Sequence, residues 1–169
     1  MTPKTMVAMV RSLINDEQTT GYTDVTNSTL EAPDGTTELL NYLDRAVDEY
    51  SKRQAAAGDL RLLKTISVSS GTTPLPTDYL MLCGASPVNV DNGQVTYYGD
   101  EAVMPVRYFV RLPYVSDYGE KQTLPYQRDQ EITICAMAAI YALNKHEYNV
   151  SQDLMLLGFG AASNGSSQQ

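Results

Sequence analysis

Val88-Asn89-Val90-Asp91-Asn92-Gly93-Gln94-Val95-Thr96-Tyr97-Tyr98 sets two apolar-rich runs on either side of Asp91-Asn92-Gly93. Asn and Gly accept the left-handed backbone of a tight hairpin turn at little cost, so this stretch predicts an antiparallel hairpin. Upstream, Leu60, Leu62, Lys64, Ile66 and Val68 alternate and predict a strand that ends at Ser69-Ser70-Gly71. Thr73-Pro74-Leu75-Pro76-Thr77-Asp78-Tyr79 is a rigid corner, because proline removes a donor and restricts the residue before it. Leu80 to Gly84 fits a helical turn or a strand equally. Downstream, Val106, Tyr108, Val110 and Leu112 alternate in a further strand, which Pro113 stops. The middle third, about 60–112, is therefore expected to be an antiparallel β unit.

Helical spacing flanks that unit on both sides. Thr2 is a good N-cap and Pro3 a natural first helical residue; Met6, Val7, Met9, Val10, Leu13 and Ile14 then predict a helix over 3–15. A second helix over 37–57 buries Leu39, Leu40, Leu43, Ala46, Val47 and Tyr50 and closes at Gly58. Asp44, Asp48, Glu49, Lys52 and Arg53 take its other side. A third helix over 126–145 is expected to bury Ile132, Cys135, Ala136, Ala139, Ile140 and Leu143. Its alanines at 136, 138, 139 and 142 permit close approach of another helix. Asn149 and Gln152 suggest a capping box for a short helix over 150–157. The Gly-, Ser- and Gln-rich residues 158–169 read as a flexible tail. The expectation is an α+β fold: a small helical bundle in a single domain over 1–157, with an antiparallel β subdomain inserted between its second and third helices and a flexible C-terminal tail.

Charge and composition narrow the function. The net charge is −8, from 20 acids against 12 bases, which argues against wrapping nucleic acid with the general surface. Asp16, Glu17, Asp24, Glu31, Asp34 and Glu38 follow one another without an intervening Lys or Arg. That stretch is either a solvated loop or a face for a basic partner. No apolar run approaches the roughly 20 residues of a membrane span. Met1-Thr2-Pro3-Lys4 opens directly into an amphipathic pattern rather than a signal peptide, so action in the cytoplasm, or in something assembled there, is expected. Cys83 and Cys135 sit among apolar neighbours and read as buried free thiols.

Reactive constellations are not recognisable. His146, beside Lys145 and Glu147, reads as a helix-end partner. No Cys/His cluster has zinc spacing, and no nucleophile elbow or phosphate loop occurs. Gly158, Gly160 and Gly165 follow a helix rather than a strand. Asp16-Glu17 and Asp48-Glu49 lie on polar segments where ordinary surface charge suffices. The expectation is a protein that is not an enzyme and uses no cofactor or metal. Tyrosine is the one unusual component: 12 Tyr against 2 Phe and no Trp, with Tyr97, Tyr98, Tyr108, Tyr114, Tyr118 and Tyr126 clustered. Half-buried tyrosines suit protein interfaces, although plain β propensity accounts for them as well.

The order of three segments resembles the head-to-tail adaptor, or connector, proteins of bacteriophages. Leu39-Leu40-Asn41-Tyr42-Leu43-Asp44-Arg45-Ala46-Val47-Asp48-Glu49-Tyr50 looks like their first long helix. Thr72-Thr73-Pro74-Leu75-Pro76-Thr77-Asp78-Tyr79-Leu80 looks like their Leu-Pro-x-Asp corner. Leu124-Pro125-Tyr126, leading through Asp129 into Ile132–Leu143, looks like their closing element. The matches span about 36–146, and the β region here is shorter than in many members.

The resemblance implies a structural virion protein in the neck, assembled in the bacterial host cytoplasm as a homo-oligomeric ring of about twelve copies. The ring would join the portal protein to a tail or nozzle protein, with double-stranded DNA as transient cargo in its channel and no membrane. Its expected contact segments are the loop 16–36, the tyrosine-rich hairpin region and the tail. Asp16, Glu17, Tyr22, Asp24, Tyr97, Tyr98, Tyr114, Tyr118, Leu157 and Phe159 are the candidate interface residues. The alternatives are another neck or tail-completion protein, such as a stopper or tail terminator, and a small cytoplasmic ligand-binding module.

Overall fold

The computed structural model describes residues 1–15 and 36–145. The predicted loop 16–36, all but its last residue, the helix over 150–157 and the tail lie outside them. The fold is α+β, and the described residues form three helices and two three-stranded antiparallel sheets, all of these strands lying between the second and third helices. The described chain divides into two compact units. One takes in residues up to Ala46 and from Val115 onward; the other is Val47–Tyr114.

In the first unit, α1 (Pro3–Leu13) starts where Thr2 Oγ1 accepts a hydrogen bond from the Thr5 amide at 3.3 Å. The first half of α2 (Thr36–Ala56) buries Leu39, Leu40, Leu43 and Ala46, as the apolar spacing requires. A 3-10 turn at Val115–Asp117 precedes α3 (Arg128–Lys145). That helix begins two residues later than predicted. Leu124 and Tyr126 are buried ahead of it, and Gln130 Oε1 accepts from the Gln127 amide at 2.8 Å, half of a capping box. α1 packs on α3, with the Cys135 thiol donating to the Met6 carbonyl at 3.8 Å. From α2, the Arg45 guanidinium lies 4.4 Å from the centre of the Tyr141 ring.

The buried arc of α3 differs from the predicted stripe. Ile134, Cys135, Met137, Ala138, Ala139, Ile140 and Ala142 are buried, Ala136 and Leu143 are only half-buried, and Ile132 is 44% exposed. The helix is covered around most of its circumference through 134–142, so no single 3.6-residue stripe defines it. Three of the four alanines are buried inside this chain and offer no small-residue face to a neighbouring copy.

In the second unit, the remainder of α2 buries Val47, Tyr50, Ser51 and Ala55. Gly58 (φ +76°) ends the helix. Its amide donates to Ala55 O at 3.0 Å while the Asp59 amide reaches Gln54 O at 2.9 Å, the paired bonds of a Schellman cap. Leu60–Leu62 is a 3-10 turn rather than the start of a strand, because Asp59 Oδ1 caps it by accepting from the Arg61 amide. The strands are β1 (Leu63–Ser69), β2 (Gly71–Pro74), β3 (Tyr79–Leu82), β4 (Val88–Asp91), β5 (Gln94–Tyr97) and β6 (Val103–Val110). β2 runs from the predicted strand end at Gly71 into the first two residues of what the prolines suggested was only a corner, Thr73 and Pro74. β6 starts three residues before the predicted strand and ends two residues sooner.

The strand orders are β1-β6-β3 and β2-β5-β4. The predicted hairpin is β4–β5, with Asn92 (φ +48°) and Gly93 (φ +73°) at its turn. Val68 and Val106 from one sheet, with Val95 and Tyr97 from the other, make one core, and Ile66, Leu75, Leu82, Val88, Val90 and Met104 pack around it. Pro105 lies within the central strand of its sheet, where proline is normally excluded. The register explains it. The Arg107 carbonyl accepts from the Cys83 amide, so odd-numbered backbone groups of β6 face β3. Pro105 shares that side but is opposed by no β3 residue, so it interrupts no ladder bond.

Candidate interaction surface

The corner Pro74–Tyr79 is fixed by bonds from three directions. The Tyr79 amide donates to Pro76 O at 3.0 Å, and the Arg111 amide donates to Asp78 O at 2.8 Å. The Asp78 carboxylate takes Lys64 Nζ at 2.6 Å and the Tyr108 hydroxyl at 3.3 Å. The Tyr79 and Tyr108 rings stack, with centres 5.8 Å apart. The side-chain bond to Asp78 raises the Lys64 pKa, and burial raises that of Tyr108. The Asp78 side chain therefore acts within its own sheet as the anchor of the corner.

On β6 the even-numbered side chains from Val106 onward enter the core, while the odd-numbered ones up to Arg107 stay outside it and Phe109, farther along, is buried. Val103, Pro105 and Arg107 therefore share the outer face, and all three are exposed. Opposite them on β1 stand Ser69, Ser67 and Thr65, also exposed. Met81 of β3 is 42% exposed beside the same face. The result is an open patch of apolar and hydroxyl side chains with one cation, Arg107, which makes no ion pair among the described residues. Beyond β5, Tyr98 is 70% exposed and opens the loop Tyr98–Ala102, which contains the exposed acids Asp100 and Glu101. The Ser70 amide bonds Ala102 O at 3.3 Å, which holds this loop against the bend between β1 and β2.

The predicted interface residues separate on this framework. Tyr98 is exposed on the loop, but Tyr97 is a core residue. The Tyr97 ring faces inward against Gly99, where any Cβ would collide with its hydroxyl end. Tyr114 is half-buried beneath Arg111, whose guanidinium lies 4.1 Å from the ring centre and donates to its hydroxyl at 2.7 Å. Tyr118 is half-buried after the 3-10 turn, its amide bonded to Val115 O at 3.2 Å. The structure thus brings Tyr98 to an open surface and keeps Tyr97 from it. Asp16, Glu17, Tyr22, Asp24, Leu157 and Phe159 lie outside the described residues, as does His146. The sequence reading missed Val103, Pro105 and Arg107; extending the Val106–Leu112 alternation toward the N-terminus would have put all three on one outward row.

Cys135 is buried, as expected, and burial pushes its thiol up to about 12. Cys83 is only half-buried. Among the described residues no group of three or more His, Cys, Asp or Glu could hold a metal ion, and no helix is long and apolar enough to cross a membrane. Compared with protein families, with curated proteins and with solved structures, the chain finds no match.

Proposed function

We propose that this chain is a structural virion protein: a head-to-tail adaptor that forms a ring between the portal and the tail of a bacteriophage. The observation that carries the reading is the junction at Pro74–Tyr79. This segment, one of the three that resemble adaptor proteins, links β2 to β3 and is tied to β1 and β6 through Asp78. The other two segments bracket it in the same order: α2 before the strands, and Leu124-Pro125-Tyr126 into α3 after them. The acidic balance supports the reading further, since a channel wall of net −8 subunits would let DNA pass without holding it. An exposed, unpaired sheet face fits a subunit that completes its contacts only in an assembly.

The test is electron cryomicroscopy of tailed particles from the source of the sequence, with this chain labelled. A ring of copies between portal and tail is the expected result. Purified particles that lack the chain would end the proposal.

A further inference from the structure

We infer that the open outer face of β6 is a subunit contact, and that its occupant is the Tyr98–Glu101 loop of a second copy of this chain. The inference rests on the ring reading and gives it a specific surface.

Charge complementarity selects the occupant. Between Lys64 and Arg107 the sequence contains Asp78, Asp91, Asp100 and Glu101 and not one Lys or Arg. Asp78 is paired with Lys64, and Asp91 accepts from the Asn92 side chain at 3.0 Å. Asp100 and Glu101 make no ion pair among the described residues, and both are exposed at the loop. Arg107 is the complementary group. It stands on the outer face between Thr65 and Pro105, and Asp78 is engaged on the opposite face by Lys64 and Tyr108. One exposed cation on the β6 face and two exposed acids on the loop, none of them ion-paired among the described residues, fit each other across two copies.

The apolar groups fit as well. Tyr98 (70% exposed) and Val103 (54% exposed) are large side chains left in water by the single chain. A tyrosine ring laid on Val103, Pro105 or Met81 of the next copy would bury apolar area, and its face also attracts a guanidinium. That apolar contact matters, because an exposed ion pair alone contributes little. Pro105 adds selectivity. It denies a donor to any strand that would extend the sheet along this side of β6, so the face is available to side chains rather than to edge pairing. Loop-on-face contact is heterologous: each copy offers its loop to one neighbour and its face to the other, as a ring requires.

Charge exchange in the full chain tests the contact. Sedimentation velocity would follow self-association of the wild type, Arg107→Glu, Asp100→Lys/Glu101→Lys, and the combination of all three. The expected result is association beyond the dimer for the wild type, loss of at least tenfold in association constant for each single-sided variant, and recovery in the combination. Circular dichroism melts matching the wild type would exclude unfolding as the cause of any loss. Tyr98→Ala should weaken association without being rescued by charge exchange. Unchanged association in Arg107→Glu overturns the assigned surface and leaves the ring reading intact. A wild-type chain that remains monomeric at its solubility limit, or stops at a dimer, also overturns the contact. The ring reading itself stands or falls by the particle microscopy above.

Discussion

Ser51 and Leu112, 61 positions apart, are joined by a buried hydrogen bond in which Ser51 Oγ accepts from the Leu112 amide at 3.1 Å. The same hydroxyl donates to Val47 O, one helical turn back, at 2.7 Å. Ser51 is fully buried, so no water can substitute for it. It fastens the chain just past β6 to α2. Ser51→Ala leaves the Leu112 amide without an acceptor and should cost about 1–3 kcal/mol, since an orphaned buried donor loses its desolvation energy. Urea unfolding monitored by circular dichroism would register this as a lower midpoint at unchanged slope. A midpoint equal to wild type would mean the bond contributes nothing.

Asp44 performs a related task in the other unit. Its Oδ1 accepts from the amides of Val115 at 2.8 Å and Ser116 at 3.2 Å, capping the 3-10 turn that precedes α3. Asp44→Ala should destabilise by about 1 kcal/mol, typical of losing a carboxylate cap. Asp44→Asn keeps an acceptor oxygen and should recover most of that loss. Equal destabilisation by both variants would point to the charge rather than the cap.

What was legible in the sequence is what depends on near neighbours. The Asn92-Gly93 turn, the Thr2 cap and the α2 stripe from Leu39 to Tyr50 need only a few residues to specify them, and each forms as read. Ile132 and Tyr97 were misread because their environments are set from far away. Ile132 shares a helix with the buried Ile134–Ala142 arc but is exposed near its start. Tyr97 is buried because register places it opposite Gly71 and Val88, and no local pattern separates it from Tyr98. β2 was hidden by Pro74, which reads as a strand breaker until its place at the strand end is known. The exposed row Val103, Pro105, Arg107 was concealed by the same prejudice against proline in a strand.

Gly93→Ala tests the hairpin turn. At φ +73° an added Cβ has open space around it but a strained backbone, so the cost is conformational. A loss of about 1 kcal/mol is expected, the usual penalty for a side chain in the left-handed region. Gly93→Asn, which tolerates that region better, should lose less. A neutral Gly93→Ala would show that the turn can change type without disturbing the β4–β5 register.

The two thiols should behave differently, and the difference has a defined pH dependence. Cys83 is half-buried, whereas Cys135 is fully buried against Met6 with its pKa pushed up to about 12. Since the thiolate is the reactive form, Ellman's reagent at pH 8 should modify Cys83 in the native protein and reach Cys135 only after unfolding. Rapid modification of both in the native state would refute the assignment. The raised pKa also means that the folded state keeps a proton which the unfolded chain releases near the ordinary value of 9.0. Stability from this group is therefore fully present below pH 9 and falls as pH rises toward about 12. Tyr126, raised chiefly by burial and next by Asp44, adds a loss of the same sign at alkaline pH. Cys135→Ala should flatten the decline in unfolding free energy above pH 9 relative to wild type, whatever its effect at neutral pH. Parallel curves for the two proteins would show that the thiol does not ionise differently on folding.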